Sequence, residues 1–202
     1  MTPTPLQTID TSLWSPPAPD PAGITYLPGS DRLLITDSEV DEMAIYQGAN
    51  LFEFTRTGAL VRSGTTLPDT PEPTGAGHRA SDGTLFVTDD DQNSYFVIRP
   101  GLDTQLGTSD DDVSEVSTAS FGSTDPEGVE LDSDTGHLMI GDGIGIKIYD
   151  VDPVNGAFGD GDDVATHFDV QAHGVRDAEG VGFDPQRHPS SSSTRRAGRS
   201  TR

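Results

Sequence analysis

The sequence predicts an all-β chain, a β-propeller of four-stranded antiparallel blades on a repeat of about 52 residues. Three observations predict it: a glycine that recurs at a fixed spacing, short apolar runs bounded by turn residues, and a composition too lean for a helical bundle. The 202 residues are 32% hydrophobic and 6% aromatic, and 23 glycines and 15 prolines are scattered between the apolar runs, as in many short strands joined by tight turns.

Four segments align: Asp20 to Asp37, Glu72 to Asp89, Asp125 to Asp142 and Asp177 to Pro185. Their glycines, Gly23, Gly75, Gly128 and Gly180, are spaced 52, 53 and 52, so the repeat units start near residues 20, 72, 125 and 177. Each glycine opens a short strand, a turn follows (PGSD, ASDG, DSDTG), and a run such as LLIT, TLFVT or HLMIG reads as a buried second strand. Further runs supply the third and outer strands: 51–54 with 59–64, then 95–98 and 146–149. Leu6 to Trp14 reads as the outer strand of a preceding blade. A blade buries its faces only against neighbours, so an arc of three to four blades is an incomplete ring with two bare faces and an expected need for the missing blades.

Residues 1–186 form the partial propeller. Residues 187–202 hold five arginines and no acid, which leaves seven basic against 34 acidic residues ahead of them. Composition predicts a disordered basic tail. A change of reading frame near residue 187 is the preferred reading. With TCN serine codons and an ACN codon for Thr194, the frame one nucleotide back encodes an apolar run followed by Asp, Asn, His or Tyr, the strand that the fourth unit lacks.

A net charge of −22 disfavours nucleic acid and anionic lipid and attracts cations, although a hydrated acidic surface explains the same charge. With no cysteine there is neither a disulfide framework nor a thiolate site. The first residues lack the basic and apolar regions of a signal peptide, and no stretch reaches the length of a membrane span.

The acids three residues before each glycine, Asp20, Glu72, Asp125 and Asp177, stand where the chain enters the innermost strand, and so gather at one mouth of a closed ring. Crowded carboxylates suit an oxygen-only cation such as Ca²⁺; a turn cap needs no ion. The cap reading is preferred for Asp20 and Glu72. Asp125 with Glu127 and Asp177 with Glu179 each offer two carboxylates and leave both readings open. Asp37, Asp89 and Asp142, 14 residues after the glycines, read as strand terminators. A second register matches Gly107–Gly128 to Gly159–Gly180 and pairs Asp110 with Asp162 and Asp111 with Asp163. These acidic connections are candidate cation loops of irregular form, with a solvated loop as the alternative. The five histidines have no metal-ligand spacing, no hydrolase or nucleotide motif stands in context, and no catalytic residue is assigned.

At PEGV (126–129), AEGV (178–181) and the TD, TD and GD strand ends, the sequence resembles bacterial six-bladed propellers of the NHL, gluconolactonase-like and esterase-like phytase groups, over residues 8–186. The resemblance implies a central divalent metal held by a glutamate entering an inner strand, here Glu127 and Glu179; the acidic interblade segment also resembles secreted bacterial repeat proteins, which implies an extracellular or cell-surface setting. Two functions follow as expectations. One is a non-catalytic, calcium-stabilised module that binds a protein or carbohydrate ligand. The other is a metal-dependent hydrolase of phosphate or lactone esters.

Overall fold

A computed structural model describes residues 6–184. The tail at 187–202, and with it the frame change, lies outside the described residues. Three four-stranded antiparallel sheets follow one another along the chain, each with its strands in sequence order from the inner to the outer edge. Blade 1 comprises β1 (Pro21–Leu27), β2 (Arg32–Asp37), β3 (Leu51–Thr55) and β4 (Leu60–Gly64). Blade 2 comprises β5 (Gly75–Arg79), β6 (Thr84–Asp89), β7 (Ser94–Arg99) and β8 (Asp112–Ser117). Blade 3 comprises β9 (Pro126–Leu131), β10 (Leu138–Asp142), β11 (Lys147–Asp152) and β12 (Val164–Asp169). The fourth unit has no strand over 177–184.

The repeating glycine has a steric cause. A Cβ on Gly23 would fall 2.7 Å from the Ala76 nitrogen, and one on Gly128 would fall 2.8 Å from the Gly180 Cα and the Val181 nitrogen. A Cβ on Gly75 would run into the Glu127 carbonyl oxygen. Successive inner strands therefore meet backbone to backbone at one point per blade, and only glycine leaves room. The same contact sets the start of the fourth unit beside β9.

Away from that point the blades pack through side chains. In β6 all six residues are buried, because Leu85 and Val87 face blade 1 while Phe86 faces blade 3. Leu34 and Leu51 of blade 1 meet Val87, Phe96 and Leu106 of blade 2. Phe86, Tyr95 and Val97 of blade 2 meet Val129, Ile140 and Phe158 of blade 3. Phe158, 52 residues after Leu106, sets its ring edge-on to Phe86 with centroids 4.9 Å apart. Each fully buried side chain of this size contributes about 1.5–3 kcal/mol, and these rings hold the arc together.

Two expectations change. Leu6–Trp14 carries a 3-10 turn at Thr11–Leu13, not an outer strand; the Asp10 carboxylate accepts from the Ser12 N–H at 3.2 Å and bends the chain there. Ile9, Trp14 and Ala18 lie on Ile35, Phe52 and Phe54, with the Trp14 ring 5.1 Å from that of Phe54, so one of the two blade faces expected to be bare is covered. In addition, β8 and β12 occupy part of what the sequence presented as acidic connections. At the far end of the arc, Ile144 and Phe168 of blade 3 are 75% and 52% exposed. Among the described residues no helix is long and apolar enough to cross a membrane.

Candidate metal centre at the channel mouth

Three buried aspartates build the frame of the mouth. Asp37 closes β2, accepting from the Asp20 N–H at 2.9 Å with one oxygen and from the Val40 N–H at 3.0 Å with the other. Asp89 does the same after β6. One oxygen accepts from the Thr70 hydroxyl at 2.9 Å and the Glu72 N–H at 3.3 Å, the other from the Gln92 N–H at 2.8 Å. Asp142 ties the Thr124 N–H, at 3.1 Å, to the Gly145 N–H. These residues do more than end a strand, because each fastens the loop entering the inner strand to the turn leaving the second strand.

That fastening sets the remaining acids around the mouth. Asp90, Asp125 and Glu127 offer carboxylate oxygens within 4.8 Å of one another, and Glu72, Asp90 and Asp91 form an adjoining group. Asp90 thus joins blade 2 to the entry of blade 3, and its Oδ1 is buried with no hydrogen-bond partner. Asp125 accepts from the Ile144 N–H at 2.8 Å. A Cβ on Gly143 would fall 2.6 Å from Asp125 Oδ2 and 2.9 Å from Asp177 Oδ1, so the fourth unit brings its first acid to the same place.

Burial and then the charges of Asp90, Asp125, Glu179 and Asp177 push the Glu127 carboxyl up to about 7. Burial, with Asp91 next to it, pushes Glu72 up to about 8. Asp90 is raised as well, by burial first and then by its acidic neighbours. None of the ion pairs among the described residues involves these carboxylates. The donor set is oxygen-only, crowded and short of positive charge, which fits a hard divalent cation held by Asp90, Asp125 and Glu127.

Of the residues expected at a site, Asp125, Glu127, Asp177 and Glu179 come together here. Asp90, which follows the strand terminator Asp89, joins them because its carboxylate reaches the acids at the entry of the next blade. Asp110 and Asp111 instead serve their own loop. Asp110 accepts from the Thr108 hydroxyl at 2.7 Å, and Asp111 from the Gly107 N–H at 2.7 Å. Asp162 and Asp163 lie with Asp160 in a third carboxylate group on the loop before β12.

No family model and no curated protein matches the chain. Solved structures do. A structure provisionally named a gluconolactonase shares 17% identity over 82% of this chain and 52% of its own, with a TM-score of 0.52. Virginiamycin B lyase from Staphylococcus aureus shares 22% identity over 74% of this chain and 41% of its own, with a TM-score of 0.46. Hydrazine synthase from Kuenenia stuttgartiensis shares 16% identity over 68% of this chain and 34% of its own, with a TM-score of 0.47. The chain spans about half, or less, of the length of these structures, and at such identities the likeness is one of fold. Repeat, blade order and the likeness to the gluconolactonase agree: the described residues are three blades of a β-propeller.

Proposed function

We propose that this chain is a non-catalytic propeller module that presents a protein or carbohydrate ligand with a rigid acidic face, and that Ca²⁺ at the mouth stabilises it. The observation that carries the reading is the convergence of Asp90, Asp125 and Glu127 from two blades, with one Asp90 oxygen buried and without a donor. Ca²⁺ accepts six to eight oxygens in flexible geometry, whereas Mg²⁺ demands a near-ideal octahedron, so a loosely converging carboxylate set favours the larger ion. Millimolar Ca²⁺ suits the extracellular or cell-surface setting that forms part of this proposal.

A pH dependence follows. A carboxyl whose folded pKa is raised stabilises fully below its unfolded value, and that contribution is lost as pH rises through the folded one. Glu127 and Glu72, moved from 4.5 to about 7 and about 8, should therefore lower stability as pH rises toward 8 in the absence of a cation. His78, lowered by burial, acts in the opposite sense but only below its ordinary 6.5, so above about 6.5 the raised carboxyls act without it, and Asp90, raised as well, works in the same direction as the two glutamates. Thermal unfolding followed by circular dichroism should show a melting temperature that falls over this range in EDTA and is restored by millimolar Ca²⁺ but not Mg²⁺. Asp90→Asn should remove the Ca²⁺-specific increment. Melts that superimpose with and without Ca²⁺ would leave the mouth acids as caps and surface charge.

A hydrolytic reading rests on the same place, since a glutamic acid that keeps its proton near neutral pH can act as a general acid beside a metal. Turnover of a phosphate monoester or a lactone, lost in Glu127→Gln, would replace the binding reading with that one.

A further inference from the structure

Between blades 1 and 2, beside the turns that join β1 to β2 and β5 to β6, lies a cavity of about 310 Å³. Strand register sets its walls. Leu34 lies opposite Glu53 and Glu53 opposite Arg62, and Leu34 packs toward blade 2, so all three present their side chains on that side. From blade 2, His78 lies opposite Leu85, which packs toward blade 1. Leu27, Leu34 and Leu106 supply carbon walls. Arg32 holds Glu53 Oε1 at 2.8 Å, while Arg62 donates to Gln105 Oε1 at 3.1 Å and to the Leu106 carbonyl. Arg62 Nη1 then stands 3.8 Å from Glu53 Oε2, beyond hydrogen-bonding reach, with 20% and 10% of the two side chains exposed. Among the described residues neither of these two atoms makes a hydrogen bond.

The cleft between blades 2 and 3 is an internal control. Val97, Leu131 and Phe158 stand there at the repeat positions of Glu53, His78 and Leu106, and with Phe86 they pack as one buried hydrocarbon cluster. Ser114 takes the place of Arg62, and Arg99 ties the Phe158 carbonyl at 3.3 Å without a buried acid beside it. A largely buried ion pair is costly to desolvate and rarely stabilises more than hydrocarbon of the same volume. Packing of one blade on the next therefore does not account for Glu53 and Arg62 in the first cleft.

We infer that this cavity binds a single neutral sugar ring, with one hydroxyl between Arg62 Nη1 and Glu53 Oε2 and the carbon face of the ring against Leu27, Leu34 and Leu106. Opposite charges side by side select a neutral ligand. An anion on Arg62 would face Glu53, and a cation on Glu53 would face Arg62 and Arg32. A hydroxyl satisfies both, accepting from Nη1 and donating to Oε2 across the 3.8 Å gap. Burial lowers the His78 imidazole below its ordinary 6.5, which keeps that wall uncharged at neutral pH. The volume lies at the lower end of small-molecule sites, ~300–1,000 Å³, and suits one ring. The inference rests on the reading of the chain as a binding module and narrows its ligand to carbohydrate, at a place separate from the cation site.

The test titrates the full chain with glucose, galactose and mannose and, separately, with cyclohexanol and acetate, following the His78 ring and Arg62 guanidinium proton resonances by NMR. Saturable shifts from at least one hexose and none from cyclohexanol or acetate are expected. Glu53→Gln should weaken hexose binding about tenfold, the loss of one charge-assisted contact. Because Glu53 also anchors two arginines, Leu106→Phe provides a second variant: it copies Phe158 of the next cleft, fills the cavity and should abolish binding while the melt stays cooperative. Equal shifts from cyclohexanol would make this a plain apolar cleft, and saturation by acetate an anion site on Arg62. Hexose binding that survives Leu106→Phe, or no saturable shift from any of the three sugars, would remove the site. The titration repeated in EDTA should be unchanged, so this inference and the calcium reading of the mouth fail separately.

Discussion

Asp89→Ala should destabilise the chain by about 3–5 kcal/mol, because several donors are left facing an apolar methyl group, and each buried one costs roughly 1–3 kcal/mol when unpaired. Those donors are the Thr70 hydroxyl, the Glu72 N–H, and the Gln92 N–H and side-chain amide, all of which Asp89 now accepts. Asp89 itself is fully buried, so water cannot take its place without opening the blade. A domain of this size has about 5–15 kcal/mol of stability in total, so the variant stands near the edge of unfolding. The midpoint of urea unfolding measures the loss. Asp89→Asn, which keeps one acceptor oxygen, should fall between variant and parent. Asp112→Ala is the comparison: its carboxylate, with the side chain 76% exposed, meets Arg99 at 3.6 Å, and its removal should cost at most about 0.5 kcal/mol. A loss below about 1 kcal/mol for Asp89→Ala would mean that the two loops hold without their staple.

Gly75→Ala should be the next most damaging change, at about 1–3 kcal/mol or more, the usual cost of forcing a methyl group into a filled space. The added carbon would press on the Glu127 carbonyl oxygen and the Val129 nitrogen, both backbone atoms of β9 that cannot swing aside. Blades 2 and 3 must then part. The strain therefore reaches Phe86 and Phe158 in the core between them, and also Glu127 at the mouth. Both the melting temperature and its Ca²⁺ increment should drop. Gly29→Ala separates this from a general intolerance of side chains, since nothing lies within 4 Å of its Cβ and the change should be neutral. Equal stability of Gly75→Ala and the parent would overturn the close-approach account of the repeat.

The sequence made the repeat legible because the inner-strand contact admits only glycine, and a steric demand of that kind leaves a mark at a fixed spacing. The buried runs of β2, β6 and β10 were legible for a similar reason, being apolar on both faces. β8 and β12 were not. Asp112–Ser117 and Val164–Asp169 are outer strands with mostly exposed side chains, so their polarity reads as loop. The alignment of 107–128 with 159–180 was the signal that both belonged to a repeated element. At the mouth, Asp125, Glu127, Asp177 and Glu179 could be placed because they precede the glycines. Asp90 could not, since its neighbours belong to another blade and no local spacing records that contact.

The covering of blade 1 by Ile9, Trp14 and Ala18 gives the arc a direction. An indole and an isoleucine shield the apolar face of blade 1 in the place where a neighbouring sheet would lie, so that face is kept from water by connecting chain, whereas the face of blade 3 leaves Phe168 52% exposed among the described residues.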